Sequence, residues 1–220
     1  MLLLALPGAC GRPQEQPPLY RIEGEAPADL DAKLERFHAF FHATFAGLGP
    51  LTPTTALTVR IVPTRGDLAT AFAARHPDRR PPLAFYSQAD DTLFLAAEAW
   101  DDALLYHEAC HQLLTRAAGL RAEPATEGFW LHEALPCLCE GLTLRAGRLE
   151  LTPPAERLAN LHYRAARRQA VRTPQALHRL RSTEFDLEAY DETAALAWYL
   201  WTAAEGSYRQ LLLDAVARAK

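Results

Sequence analysis

The stretch that most constrains this chain is Leu105-Tyr106-His107-Glu108-Ala109-Cys110-His111-Gln112-Leu113-Leu114, which sets two histidines four residues apart with a glutamate directly after the first. Leu104, Leu105, Leu113 and Leu114 supply apolar positions, Asp101 and Asp102 offer an N-cap and negative charge in a first turn, and Gly119 offers a stop. The segment is therefore expected to form a helix of roughly four turns. On a helix, residues four apart lie about 400° around the axis, so His107 and His111 share one face with roughly 5–6 Å between Cβ atoms. Two imidazoles at that separation can reach one metal ion. Glu108, about 100° from His107 and about 60° from His111, is close enough to hold a water at that ion without displacing it. The competing reading is a surface helix with solvated histidines, because the motif specifies only three residues in a chain with eight histidines. A third ligand separates the two.

Catalytic zinc usually takes three protein ligands and leaves one position open for water. The segment Phe129 to Gly141 reads as a second helix starting near Gly128, with Pro136 kinking or dividing it. Glu133 and Glu140 are seven residues apart on it and share a face, so either can turn toward the first helix, and His132 is a more distant rival.

Trp130-Leu131-His132-Glu133-Ala134-Leu135 resembles the WLxEGL segment of bacterial gluzincins of the peptidase MA-like superfamily, a group of exported or lipoprotein zinc metallopeptidases. The likeness extends to Phe85-Tyr86 ahead of Thr92 to Ala96, to the block from Tyr106 to Leu114, and to Tyr190 to Leu200, and covers roughly Tyr20 to the C-terminus. The resemblance implies an α+β, zincin-like fold with a small, mostly antiparallel sheet, an active-site helix and then a helical C-terminal lobe. It implies Zn2+ held by His107, His111 and Glu133. It also implies hydrolysis of a peptide or protein substrate, in which Glu108, as general base, takes a proton from a metal-activated water and passes it to the leaving amine. His162, Tyr163 and Tyr190 are the available donors for the developing oxyanion. Ala134 stands where the family usually has glycine and Pro136 where it has a small helix former, so the path of the second helix decides between Glu133 and Glu140. An alternative from another class is a catalytically inactive, peptidase-like lipoprotein serving as a binding or scaffolding module, although a scaffold has no need of Glu108. A third is an intracellular protein carrying the motif by chance.

The rest of the chain is compatible with such an enzyme. Its 220 residues, 49% hydrophobic, suffice for one domain of two lobes, about 19–119 and 120–220. A net charge of −4 argues against general nucleic-acid binding, and no run of eighteen apolar residues is present to span a membrane. Residues 1–18 read as an export signal and Pro-rich tether: Leu6-Pro7-Gly8-Ala9-Cys10 resembles a bacterial lipobox, with Cys10 as the lipidated residue and membrane anchor, and locates the chain in the cell envelope. The remaining thiols, Cys110, Cys137 and Cys139, are either buried and reduced or form one bridge from Cys110. Oligomeric state has no sequence signal.

In chain order, Asp29 to Ala46 carries an apolar and aromatic stripe that marks a core-facing helix, and Leu57 to Val62 alternates as a strand. A short helix follows over about 67–75, then a hairpin of Leu83–Tyr86 and Thr92–Ala96. In zincins an edge strand beside the metal helix holds the substrate backbone by strand addition, and these two strands are the candidates. Beyond Gly141 the pattern reads as helical to the end. The arginines at 157, 164, 167, 168, 172, 179 and 181 form a basic run, read as a solvated face or as a contact for anionic head groups or an acidic substrate.

Overall fold

The computed structural model describes residues 18–49, 55–77, 79–120 and 127–219. The expected signal, tether and Cys10 lie outside these residues, apart from Pro18. The first half runs β1 (Tyr20–Glu23), α1 (Leu30–Thr44), β2 (Leu57–Val62), α2 (Arg65–Ala73), β3 (Ala84–Ser87), β4 (Thr92–Ala96) and α3 (Asp102–Ala118). The strands form one sheet in the order β1-β2-β4-β3.

The sheet is mixed, which corrects the expectation of a mostly antiparallel one: β1 pairs β2 and β2 pairs β4 in parallel, and only β3 with β4 is antiparallel. The connections explain this. The paths from β1 to β2 and from β2 to β4 pass through α1 and α2, and a helical crossover returns the chain parallel, whereas the short Ser87-to-Thr92 link can only reverse it. β3 is thereby left at the edge beside α3.

Every residue of β4 is buried, so the sheet is covered on both faces. Leu93 and Leu95 join the main core with Leu30, Leu34, Phe37 and Phe41 of α1 and with Leu105, Ala109 and Leu113 of α3. Phe94 and Ala96, the alternate residues, pack with Phe85 against Leu68 and Phe72 of α2. The α1 stripe is core, as its period implies: Phe37 stacks on Tyr106 of α3 at 5.3 Å between ring centroids. Removing such a ring costs about 3–5 kcal/mol.

The second half runs α4 (Trp130–Cys139), β5 (Leu142–Arg145), β6 (Arg148–Leu151), α5 (Ala155–Ala166), α6 (Pro174–His178), α7 (Leu187–Thr202) and α8 (Arg209–Arg218). The expected helical lobe therefore contains an antiparallel hairpin, β5–β6, turned by Ala146 and Gly147 with φ of 47° and 80°. The main core continues through Ala134, Leu135 and Leu138 of α4 into Ala197 and Trp201 of α7 and Leu212 and Val216 of α8, so one core joins both halves.

The basic run is only partly a solvated face. Arg157 pairs with Glu140 and Asp191, Arg164 with Glu188 and Glu192, and Arg172 with Glu192 and Asp186. Among the described residues no helix is long and apolar enough to cross a membrane.

Candidate metal centre

Helix α3 is fixed on three sides before it presents its histidines. The Asp101 side chain accepts a hydrogen bond from the Ala103 N–H at 2.8 Å, and Gly119 closes the helix at φ 65°, a left-handed conformation that glycine adopts without strain. Leu105, Ala109, Cys110 and Leu113 are buried against the sheet and α1. Gln112, fully buried, donates through its amide to the carbonyls of Thr58 at 3.2 Å and Asp91 at 3.1 Å, tying the helix to β2 and to the turn before β4. The remaining side of α3 meets α4.

Helix α4 begins just after Gly128, whose N–H donates to the His178 carbonyl at 2.6 Å. Gly128 has φ 84°, and an added Cβ would stand 3.1 Å from the His178 ring, so glycine serves both the turn and the close approach. From His132 to Cys139 the helix is continuously buried, and it passes through Pro136 undivided. Glu133 lies in its first turn and Glu140 at its C-cap.

Both carboxylates reach α3, on opposite sides of one ring. Nε2 of His107 and Nε2 of His111 are 3.2 Å apart, and Oε2 of Glu133 is 3.2 Å from each. The three ligand atoms thus form a nearly equilateral triangle. On the far side of the ring, His107 Nδ1 is 2.8 Å from Glu140 Oε1. An ionised carboxylate only accepts, so that proton belongs to Nδ1, and Nε2 of neutral His107 offers its lone pair to the triangle.

These distances test whether the group fits a metal. Ligands about 2.0–2.1 Å from a common ion at tetrahedral angles stand about 3.3–3.4 Å from one another, close to the spacing found. Glu133 Oε2 is buried and has no hydrogen-bond partner, although two imidazole nitrogens stand beside it. A cation in the triangle satisfies that oxygen and both lone pairs at once. His107, His111 and Glu133 can therefore hold a metal ion. The His107 and Glu133 side chains are almost fully enclosed, whereas 21% of the His111 side chain stays exposed, which marks the open side.

The electrostatics follow from burial and from the acids. Burial alone would keep His107 neutral, but the hydrogen bond to Glu140 and the adjoining Glu133 carboxylate outweigh it and raise its basicity well above the usual imidazole range. Glu133 is driven low: burial opposes its charge, and the two imidazoles more than compensate. Glu140 behaves likewise, held down to about 2 by hydrogen bonds from His107 and Arg157 against its burial. Glu108, half-buried next to this group, moves the other way. Burial raises its carboxyl, with the neighbouring histidines and the Tyr86 N–H of edge strand β3 holding it partly back.

Of the expected site residues, the structure brings His107, Glu108, His111 and Glu133 together. Glu140 meets His107 at the other nitrogen and is not in the triangle. His132 is buried but stacks on Phe129 at 5.7 Å between centroids and belongs to no metal-holding group. Tyr190 lies beside the site, its ring 6.3 Å from that of His107. Tyr163, 53% exposed, instead packs under Arg167, and His162 is exposed. Cys110, Cys137 and Cys139 are buried free thiols. Sequence reasoning missed Arg157, which chelates Glu140 through Nε at 2.7 Å and Nη2 at 2.9 Å. Nothing local marks it out from its neighbouring arginines. Comparison with protein-family models, with curated proteins and with solved structures returned no match.

Proposed function

We propose that this chain is a zinc-dependent peptidase of the gluzincin type, with Zn2+ held by His107, His111 and Glu133 and Glu108 as general base. The observation that carries the reading is the 3.2 Å triangle of two imidazole nitrogens and an orphaned carboxylate oxygen with a second carboxylate, Glu108, alongside. The donor set of two nitrogens and one oxygen with one open side is that of a catalytic rather than a structural zinc site. Bound there, zinc supplies a Lewis acid that makes water more acidic and polarises a carbonyl.

The chain's own residues account for the remaining steps. Glu108, its carboxyl raised by burial, takes a proton from the attacking water and returns it to the leaving nitrogen. Its contact with the Tyr86 N–H puts that carboxylate beside β3, the sheet edge along which an extended peptide can add as a further strand. Tyr190 is the best supported of the three oxyanion donors. Burial and the nearby Glu133 and Glu108 charges hold its hydroxyl protonated, and its ring stands 6.3 Å from that of His107. Membrane attachment through a lipidated Cys10 belongs to the same proposal and rests on the sequence alone.

The test is Glu108→Gln. It should retain one zinc per chain and lose about 10²–10⁴-fold in cleavage of a mixed peptide library. Wild-type protein that takes up no stoichiometric zinc, or a Glu108→Gln protein that cleaves as well as wild type, refutes the proposal.

A further inference from the structure

Glu140 does not hold His107 unaided. Immediately after it, Gly141 is packed so tightly that an added Cβ would stand 2.1 Å from the Thr152 carbonyl oxygen. The Gly141 carbonyl accepts both the Thr152 N–H at 2.9 Å and the Thr152 hydroxyl at 2.7 Å. The hairpin β5–β6 is thus pinned shut at its base, and the chain leaves it through Pro153 and Pro154 directly into α5. This closure brings Arg157, in the first turn of α5, back onto a carboxylate seventeen residues earlier.

The resulting contact is a fork. Arg157 Nε donates to Glu140 Oε2 at 2.7 Å and Nη2 to Oε1 at 2.9 Å, so Oε1 is shared between Arg157 and the Nδ1–H of His107. The guanidinium is held in turn by α7: its Nη1 stands 3.6 Å from Asp191, and its plane lies over the Tyr190 ring at 5.3 Å. A His107 ring nitrogen, Cys137 Sγ and a Glu140 oxygen also lie within 4.8 Å of one another, the spacing of a second metal group. The guanidinium already occupies the cation's place at that carboxylate, so the trio serves as support.

We propose that Arg157 is a positioning residue. By clamping both oxygens of Glu140 it aims Oε1 at His107 Nδ1, keeps that ring in its Nδ1–H tautomer with Nε2 turned to His111 and Glu133, and joins the ring's support to Tyr190. A planar bidentate fork does this and a lysine does not, since an ammonium is a point charge without the matching geometry. The consequence for zinc rests on the metallopeptidase reading, whereas the tautomer does not.

The experiment therefore has two arms on the full chain, in wild type, Arg157→Lys and Arg157→Met. In metal-free protein with ¹⁵N-labelled histidine, at a pH where the His107 ring carries a single proton, two-bond ¹H–¹⁵N correlation reads the His107 tautomer: Nδ1–H is expected in wild type and a mixture in both variants. In the second arm, Zn2+ competition against a chromophoric chelator should show affinity weakened about 10–100-fold in Arg157→Met, the range for a partner behind a ligand, and by less in Arg157→Lys. A merely structural role lowers stability and leaves the tautomer unchanged. Wild-type tautomer together with zinc affinity within about twofold of wild type in the variants overturns the proposal, and Arg157→Lys decides alone if Arg157→Met does not fold. Failure of the wild-type chain to bind zinc refutes the metallopeptidase reading instead, and the tautomer arm still decides the role of Arg157.

Discussion

Replacing Glu133 and Glu140 one at a time by alanine separates a ligand from a support, and the structure sets the order of the two losses. Glu133 Oε2 faces two imidazole nitrogens at 3.2 Å and no hydrogen-bond donor, so its removal deletes one corner of the triangle. Zinc held by four ligands in small domains is bound with about 10–16 kcal/mol, or about 2.5–4 kcal/mol per ligand, which is about 10²–10³-fold in affinity. Glu140 touches only the far nitrogen of His107, at 2.8 Å, and Arg157. Loss of such a partner costs about 10–100-fold. Competition against a chromophoric chelator at one fixed pH measures both, and Glu133→Gln controls for lost volume. Substituting Co2+ adds a second readout: the visible spectrum reports the directly bound atoms, so it should change shape in Glu133→Ala and keep its shape in Glu140→Ala. Weaker binding in Glu140→Ala than in Glu133→Ala, or the reverse pattern of spectra, refutes the assignment.

Three further outcomes follow from the same geometry. Chelating the metal should lower the melting temperature, because zinc at 100 times its dissociation constant adds about 2.7 kcal/mol, or roughly 5–11 °C for a chain of this size; a melting temperature indifferent to chelator contradicts the site. Tyr190→Phe should keep its zinc and lose about 10²–10³-fold in kcat, as for removal of one oxyanion donor, and an unchanged kcat removes Tyr190 from that role. Gln112→Ala abandons the buried Thr58 carbonyl and the half-buried Asp91 carbonyl and leaves a cavity, so urea unfolding should read a loss of about 3–5 kcal/mol; a loss below about 1 kcal/mol means that the amide does not tie α3 to the sheet.

Two of the strand pairings leave little local signal in the chain. The hairpin β5–β6 carries a period of two, Leu142-Thr143-Leu144-Arg145 against Arg148-Leu149-Glu150-Leu151, but its turn is Ala146-Gly147 in place of the Asn-Gly or Asp-Gly that usually announces a two-residue reversal. β1 has only four residues, too few for an alternation to register, and its pairing with β2 is a contact across 37 positions. The parallel pairs follow from where α1 and α2 deliver the chain, which no strand's own composition records.

The chain by itself determines α3 and its chemistry, because caps, apolar period and the four-residue spacing of His107 and His111 are properties of a single helix. It also narrows the third ligand to a face of α4, since Glu133 and Glu140 are seven residues apart. Which of them enters the triangle is decided only by tertiary structure. That choice depends on how α4 rolls against α3, on Glu140 meeting His107 across 33 residues, and on the pinned hairpin that returns Arg157 to Glu140. These contacts are long-range, and their energy comes from a carboxylate buried between an imidazole and a guanidinium, a pairing that exists only once the core has closed around it.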